Sequence, residues 1–514
     1  MPVRMDQDDL GGSQSNNSRR RRSSSGGGGT SPLVYLLPVV FKLFRKKPKL
    51  MIGIIIIGAL FYFFGGGLLS NSSSQSSSAF ATGFEPNQQK YDQAEVFEPL
   101  ADNIKNPLPE SFSLLKYCPK SLNQGKQGSC VGWASSYTAR SILHARATGQ
   151  DPDKVAFSPS YLYNQIALKG CQGSYLKDAM ATMHQQGVLP FSKFGYDDNE
   201  CHDQPEGYEK QEASNFKIKG YNRLTKSGEQ YEVDLLAIKQ NIAQGAPVVI
   251  GMMVGGSFMQ AMQGKEVWIP TQSDYDEKGF GGHAMCVIGY DDYKAGGAFQ
   301  IMNSWGESWG NKGAAYVTYR DFDYFVKEAY GLYPMGDVAS AKTSKLEAKI
   351  GLVVNNDKSY IALGRKSSEV FTTTQILKKG TKFKMEITNS TACYVYIFGQ
   401  ETDGSSNVLF PYTKKHSPYC GITGTRLFPK DFSMHLDDIG TKDYIAVVLS
   451  KDPLDYNALN KKISNASGTT YSNKLKSVIK NGTDSQISGG QLLNVQTDLA
   501  KASMTAMVIE INKN

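Results

Sequence analysis

Net positive charge is nearly absent from most of this chain. The formal net charge is +8 over 514 residues. Residues 1–50 hold ten Lys/Arg against three Asp, a net +7, which leaves +1 for all the rest. A folded part so close to neutral carries no electrostatic footprint for nucleic acid, and that partner is excluded. Histidine is scarce as well: six residues in the whole chain, so chemistry that needs an imidazole has few places to sit. The His416 and Cys420 pair in HSPYC lacks the further paired ligands of a zinc site. The acidic run Asp197, Asp198, Glu200 and Asp203 does not have the spacing of a calcium loop and reads as solvated. No metal and no cofactor is expected.

Charge is also missing from LMIGIIIIGALFYFFGGGLL, residues 50–69. Twenty such residues span about 30 Å as a helix, the thickness of a bilayer core. Lys42, Arg45, Lys46, Lys47 and Lys49 precede it, and no Lys or Arg follows from Ser70 until Lys90. That asymmetry predicts a single-pass membrane protein with residues 1–49 cytoplasmic and everything after Ser70 periplasmic or extracellular. Ala79-Phe80-Ala81 has the small-x-small form of a signal cleavage site, but the apolar run and the region before it are too long for a usual signal peptide.

The composition divides the chain further. Residues 1–49 read as a disordered basic tail and 50–69 as the transmembrane helix; 70–107 form a Ser-rich spacer that begins with SNSSSQSSS. Residues 108–336 have the texture of a mixed domain. Val131, Ala134, Ile142 and Leu143 predict a helix over 130–148 capped by Gly149. Short strand-like runs follow at 247–253, 284–290, 299–302 and 314–319. Helix first and antiparallel strands second imply an α+β domain. After the polar stretch 337–345, residues 346–514 read as a β-rich, sandwich-like domain: GLVVNN, FKMEIT, CYVYIFG, NVLFPY, YIAVVLS and TAMVIEI, with a helical interruption near 456–480.

NQGKQGSCVGW, residues 123–133, raises the question of whether Cys130 is a buried thiol, half of a disulfide or a nucleophile. Gly128 and Ser129 place it at the first turn of the predicted helix, where the helix dipole and free N–H groups favour a thiolate. Gln124 could aim an amide N–H at the same point as the backbone N–H of Cys130, forming a two-donor oxyanion hole. A base is still needed. His283 lies in GGHAMCVIGYDD, with Gly281 and Gly282 leaving its flank open, and Asn303 in FQIMNSWGESWG could accept the other imidazole N–H. Trp305, two residues on, would face the same side of an extended segment and shield that bond. Cys, His and Asn together make a thiol-based acyl-transfer site. Cys286 sits an odd three residues after His283 and points to the other face as a core thiol.

These blocks, NQGKQGSC, GGHAMCVIGYDD and NSWGESWGNKG, resemble in order the active-site segments of papain-like cysteine peptidases. LPESFSLLKYCPKSLNQG resembles the start of the mature domain of that family, and GCQGSY at 170–175 its substrate-groove segment. The resemblance implies a two-lobed papain-like fold over about 108–334. It implies Cys130 as nucleophile, His283 as general base and acid, Asn303 as orienter and Gln124 as oxyanion donor. Trp305 would be the shield, Gly173 and Ser174 would pair with substrate backbone, and Gly282 would stand in the groove wall. Some positions depart from the pattern: Val131 replaces the tryptophan that usually follows the nucleophile, Gln127 stands where a disulfide cysteine is common, and Ser174 replaces a second glycine. The stretch from Ser70 to Leu108 is too short for the usual helical inhibitory propeptide. The resemblance makes Cys171 and Cys201 a candidate disulfide pair, and Cys393 and Cys420 could bridge within the β domain. That domain resembles an uncharacterised module appended to bacterial surface or regulatory enzymes.

The expected function is peptide-bond hydrolysis outside the cytoplasm, with protein or peptide as substrate. Two alternatives stand beside it: a peptide-binding pseudo-peptidase scaffold, and a thiol transpeptidase that passes the acyl group to an amine.

Overall fold

The computed structural model describes residues 3–7, 80–101, 104–226, 232–335, 345–430, 432–479, 486–498, 500 and 502–514. The expected span 50–69 and the serine run 70–78 lie outside them. Among the described residues no helix is long and apolar enough to cross a membrane.

The nucleophile candidate begins a helical rod. Cys130–Gly132 is α-helical, Trp133–Arg140 is a π-helix, and Ser141–Thr148 is α-helical again. Gly149 ends it with φ 71°, a left-handed cap open to glycine at no steric cost, and its N–H reaches the Ala145 carbonyl. Every side chain of the π segment is buried, so packing on all sides holds a helix form that isolated chains avoid.

The rod packs on an eight-stranded sheet in the order Tyr221–Arg223, Val326–Leu332, Val248–Val254, Gly281–Asp291, Ala298–Met302, Ala314–Thr318 and Val267–Trp268, with Ser111–Ser113 on the flank of Gly281–Asp291. Val248–Val254 is an unbroken apolar run because it is central and buried almost throughout. The His283 strand lies directly beside it, with Gly251 opposite Ala284.

Residues 345–514 form two sheets that share one core, Ile350, Leu352, Phe383, Met385, Ile397, Val447 and Ile509 among its members. The outer face of the second sheet, with Tyr396, Phe398, Ala446 and Val448, is covered by Tyr456–Asn465 and Tyr471–Val478. This explains why CYVYIFG and YIAVVLS are apolar at both parities: each strand faces a core on either side.

Three findings differ from the sequence expectations. First, Val3–Gln7, inside the stretch expected to be a disordered tail, is a strand paired antiparallel with Phe432–Leu436. An open sheet edge gave that short extended segment its hydrogen bonds.

Second, residues 80–101 are not spacer. Phe84, Tyr91, Val96, Phe97 and Leu100 are buried, and these residues run as a strap across the α+β domain to the β domain.

Third, Cys393 and Cys420 are free. They stand directly opposite in an antiparallel pair, where Cβ atoms lie about 4.5–5.5 Å apart, wider than a disulfide prefers.

Cys171 and Cys201 are bonded, closing a separation of 30 residues. A loop of that length corresponds to about 3–4 kcal/mol by the chain-entropy relation. Cys201→Ser is therefore expected to lower the urea midpoint and, because the unlinked denatured chain is more expanded, to steepen the transition slightly. An unchanged midpoint would contradict a structural role.

Candidate active site

Strand and helix bring the three separated blocks together. The backbone N–H of Ala284, next in chain to His283, donates to the Cys130 sulfur at 3.3 Å. His283 Nε2 lies 2.7 Å from Asn303 Oδ1. That same oxygen accepts from the backbone N–H of Ser304 at 2.7 Å, so it is an acceptor and the ring nitrogen is the donor. The tautomer follows: Nε2 carries the hydrogen and Nδ1 the lone pair. Nδ1 has no hydrogen-bond partner among the described residues. It is the atom left to exchange a proton.

Trp305 stacks on the imidazole, with ring centroids 4.3 Å apart, as its position two residues after Asn303 led us to expect. Gln124 is fully buried and locked at both ends of its amide. Its Oε1 accepts from Ser304 Oγ at 2.6 Å, and its Nε2 donates to the Gln127 carbonyl at 3.0 Å. One amide hydrogen remains for an incoming oxyanion.

The departures from the family pattern have local answers. Gln127 Nε2 reaches the Glu200 carbonyl at 2.8 Å, tying by a hydrogen bond the loop that elsewhere carries a bridge. Trp133 packs with Tyr137, Phe191 and Tyr196, while Val131 enters the main core. Cys286 is buried in that core.

Sequence reading missed Ser304 and Tyr196. Ser304 holds both Gln124 and Asn303. The Tyr196 hydroxyl lies 2.6 Å from Ser129 Oγ and donates to the Gln124 carbonyl at 2.7 Å. Tyr196 acts on partners far away in sequence and belongs to no local motif; Ser304 lies inside NSWGESWGNKG, but its bond to Gln124 spans 180 residues. The adjacency of Ser304 to Asn303 was the one available sign.

It also missed what fills the groove. Phe80 stacks on Trp305 at 4.6 Å, and the indole N–H donates to the Ala81 carbonyl at 2.9 Å. The N–H groups of Gly83 and Phe84 share the Gly282 carbonyl, at 3.1 and 2.9 Å. Ser174 donates its N–H to the Gly83 carbonyl at 2.9 Å and accepts from the Glu85 N–H at 3.2 Å. Every residue expected to bind substrate therefore touches the strap. A Cβ on Gly83 would lie 2.0 Å from the Gly128 carbonyl oxygen, and one on Gly282 would lie 2.1 Å from that of Phe84; glycine permits this approach. The Phe84 ring fills a recess floored by Gly251, where an added Cβ would meet the ring tip at 2.2 Å. Beside the strap an open cleft of about 580 Å³ remains, bordered by Gln127, Gly128 and Gln172.

The cover sets the electrostatics. Cys130 and His283 are both fully buried. Burial pushes the Cys130 thiol up to about 12 against backbone N–H groups that favour its anion. Burial also lowers His283 to about 4, despite the hydrogen bond it donates to Asn303. Burial under the strap thus favours the uncharged thiol and the neutral imidazole.

A family model for papain family cysteine proteases matches residues 108–329, and one for a domain of unknown function, DUF4384, matches residues 376–453. An uncharacterised peptidase C1-like protein of Acanthamoeba polyphaga mimivirus is 28% identical over 209 residues, 39% of this chain and 64% of that protein. Mouse cathepsin K is 26% identical over 237 residues, 45% of this chain and 65% of its own length. The chain thus spans a little under two thirds of these relatives. Among solved structures, xylellain, a cysteine protease from Xylella fastidiosa, superposes with a TM-score of 0.40 at 21% identity, covering 51% of this chain and 96% of that one. The positions of Cys130, His283 and Asn303 fall within the segment, residues 108–329, that matches the papain family cysteine protease model and is similar to these peptidases.

Proposed function

We propose that the chain is a peptidase that hydrolyses peptide bonds through Cys130. The observation that carries this reading is the meeting of the three blocks: Asn303, held by Ser304, takes the His283 Nε2 hydrogen, and the N–H of Ala284, next in chain, donates to the Cys130 sulfur at a helix start. His283 Nδ1 takes the thiol proton and the sulfur adds to the carbonyl carbon. The backbone N–H of Cys130 and the remaining Gln124 amide hydrogen receive the oxyanion. Collapse breaks the C–N bond, and the imidazolium gives its proton to the departing amine. Water then attacks the thioester, with its proton going to the same ring, and the released acid leaves Cys130 as a thiol again.

The test uses a thiol-directed peptide electrophile and a peptide library on the full chain. Cys130→Ala is expected to remove both labelling and turnover. A folded wild-type chain that never labels, with or without its strap, would sink the reading and favour a peptide-binding scaffold. Product mass separates hydrolysis from transfer to an amine: the first adds water to the acyl fragment and the second adds the amine.

The uncharged run 50–69 with Lys42–Lys49 before it supports membrane attachment, with the peptidase domain outside the cytoplasm. The pairing of Val3–Gln7 with Phe432–Leu436 speaks against an N-terminus on the opposite side. Protease protection of residues 1–49 in sealed vesicles decides between the two orientations.

A further inference from the structure

The strap that fills the groove is held at its far end by the β domain. Near the groove it is tied to the peptidase domain. Asn87 donates its N–H to Glu328 at 3.1 Å, Lys90 pairs with Asp178 at 2.7 Å, and Tyr91 bonds both backbone groups of Ala329. At Val96 the strap becomes a shared strand between the two domains. On one side, Arg223 donates its N–H to the Glu95 carbonyl at 3.0 Å and accepts from Phe97 at 3.1 Å; on the other, Val96 donates to the Lys415 carbonyl at 2.6 Å and accepts from Ser417 at 3.0 Å. Further along, Ala101 donates to the Thr425 carbonyl at 2.7 Å.

Arg426 fastens this junction. It is buried, donates through Nε to the Glu98 carbonyl at 3.0 Å, and is itself fixed by Asn389 Oδ1 at 2.8 Å and the Ile422 carbonyl at 3.0 Å. A buried guanidinium whose donors are spent on carbonyls is a costly group to leave unpaired, and it ties the strap firmly to the β domain.

We propose that the β domain is the latch of the strap: its hold on residues 95–101 keeps residues 80–85 over Cys130, and loss of that hold opens the groove. The proposal rests on the peptidase reading above and assigns to that site its regulator. The closed and open forms are two states of one chain, and any contact made only in the closed form shifts the balance between them.

The experiment measures, on the full chain, the rate at which a thiol-directed peptide electrophile labels Cys130, together with amide exchange at Gly83, Phe84 and Glu85. Val96→Pro removes the N–H given to Lys415 while leaving both bonds to Arg223, and is expected to speed labelling and exchange by about fivefold, the weight of one hydrogen bond. Arg426→Met, which keeps the side chain's bulk, is expected to do more. Lys430→Ala breaks a contact of the β domain with Asp234 at 3.2 Å that bypasses the strap and is expected to match wild type. The latch is overturned if Val96→Pro and Arg426→Met leave labelling and exchange at the wild-type level while Gly83→Val, which drives the strap out directly, speeds labelling; the peptidase reading then stands. It is equally overturned if Lys430→Ala accelerates labelling as much as they do, since attachment of the domain would then be the cause. If no variant labels, the peptidase reading fails and exchange at Gly83–Glu85 alone decides the latch.

Discussion

Gly83→Val is expected to speed alkylation of Cys130 at pH 7 by more than about tenfold. The steric argument is direct. A Cβ at residue 83 would lie 2.0 Å from the Gly128 carbonyl oxygen and 2.4 Å from its carbon, and these are backbone atoms beside the nucleophile that have no room to yield. The bonds of Gly83 and Phe84 to Gly282 and of Gly83 to Ser174 must break for the valine to be accommodated, so the groove empties. The electrostatic consequence is larger than the steric one. In the covered state the thiol sits near 12 and the imidazole near 4, each moved by burial. Burial thus holds the covered sulfur as a thiol at neutral pH. Its reactivity should therefore climb steadily with pH through the neutral range. Opening the groove returns water to both groups and permits the thiolate–imidazolium form, whose thiolate is lost as pH falls far enough to protonate the sulfur. The rate profile of Gly83→Val should flatten at a lower pH than that of the wild-type chain. Superimposable profiles would show that the strap does not control the sulfur.

The second large effect is the loss expected from His283→Ala in the opened background. General acid–base catalysis contributes about 10²–10⁴ in rate, and here one ring serves every proton transfer, so kcat/KM should fall by about 10³. The thiolate fraction should fall with it, visible as an alkylation profile displaced to higher pH. Asn303→Ala should cost less, because Asn303 is a positioning residue that acts through the ring. Without it the tautomer is no longer fixed by the Ser304-held oxygen, and the signature is a changed pH profile more than a changed KM. Equal losses in the two variants would mean that Asn303 has a role beyond holding the ring.

The parts of this site that were legible in the sequence are those whose chemistry is local. A cysteine after Gly-Ser, a histidine flanked by glycines in an apolar strand and an asparagine before Ser-Trp each announce themselves within a few residues. The strands at 248–254, 281–291, 298–302 and 314–318 are close to the expected runs because central strands must be apolar wherever both faces are covered. Tyr319, read as the end of a strand, instead begins a helix with Thr318 as its N-cap, a competition that alternation cannot resolve. The strap was illegible for a different reason. Phe80, Phe84, Tyr91, Val96, Phe97 and Leu100 touch in turn an indole, a glycine-floored recess, a strand and a second domain, so their spacing follows no helical or strand period. Ser304 and Tyr196 were hidden likewise: each is one polar residue whose meaning depends on Gln124, distant in sequence.

The most direct test of the account is the mass of the opened chain, Gly83→Val, after reaction with a thiol-directed peptide electrophile, with the modified residue located by fragmentation. The account predicts an adduct on Cys130 and none on Cys286, Cys393 or Cys420, all of them buried, with the Cys130 adduct greatly slowed by His283→Ala and any adduct on the half-buried free Cys118 indifferent to it. A folded opened chain that carries no adduct on Cys130, or one whose labelling is indifferent to His283, would contradict it.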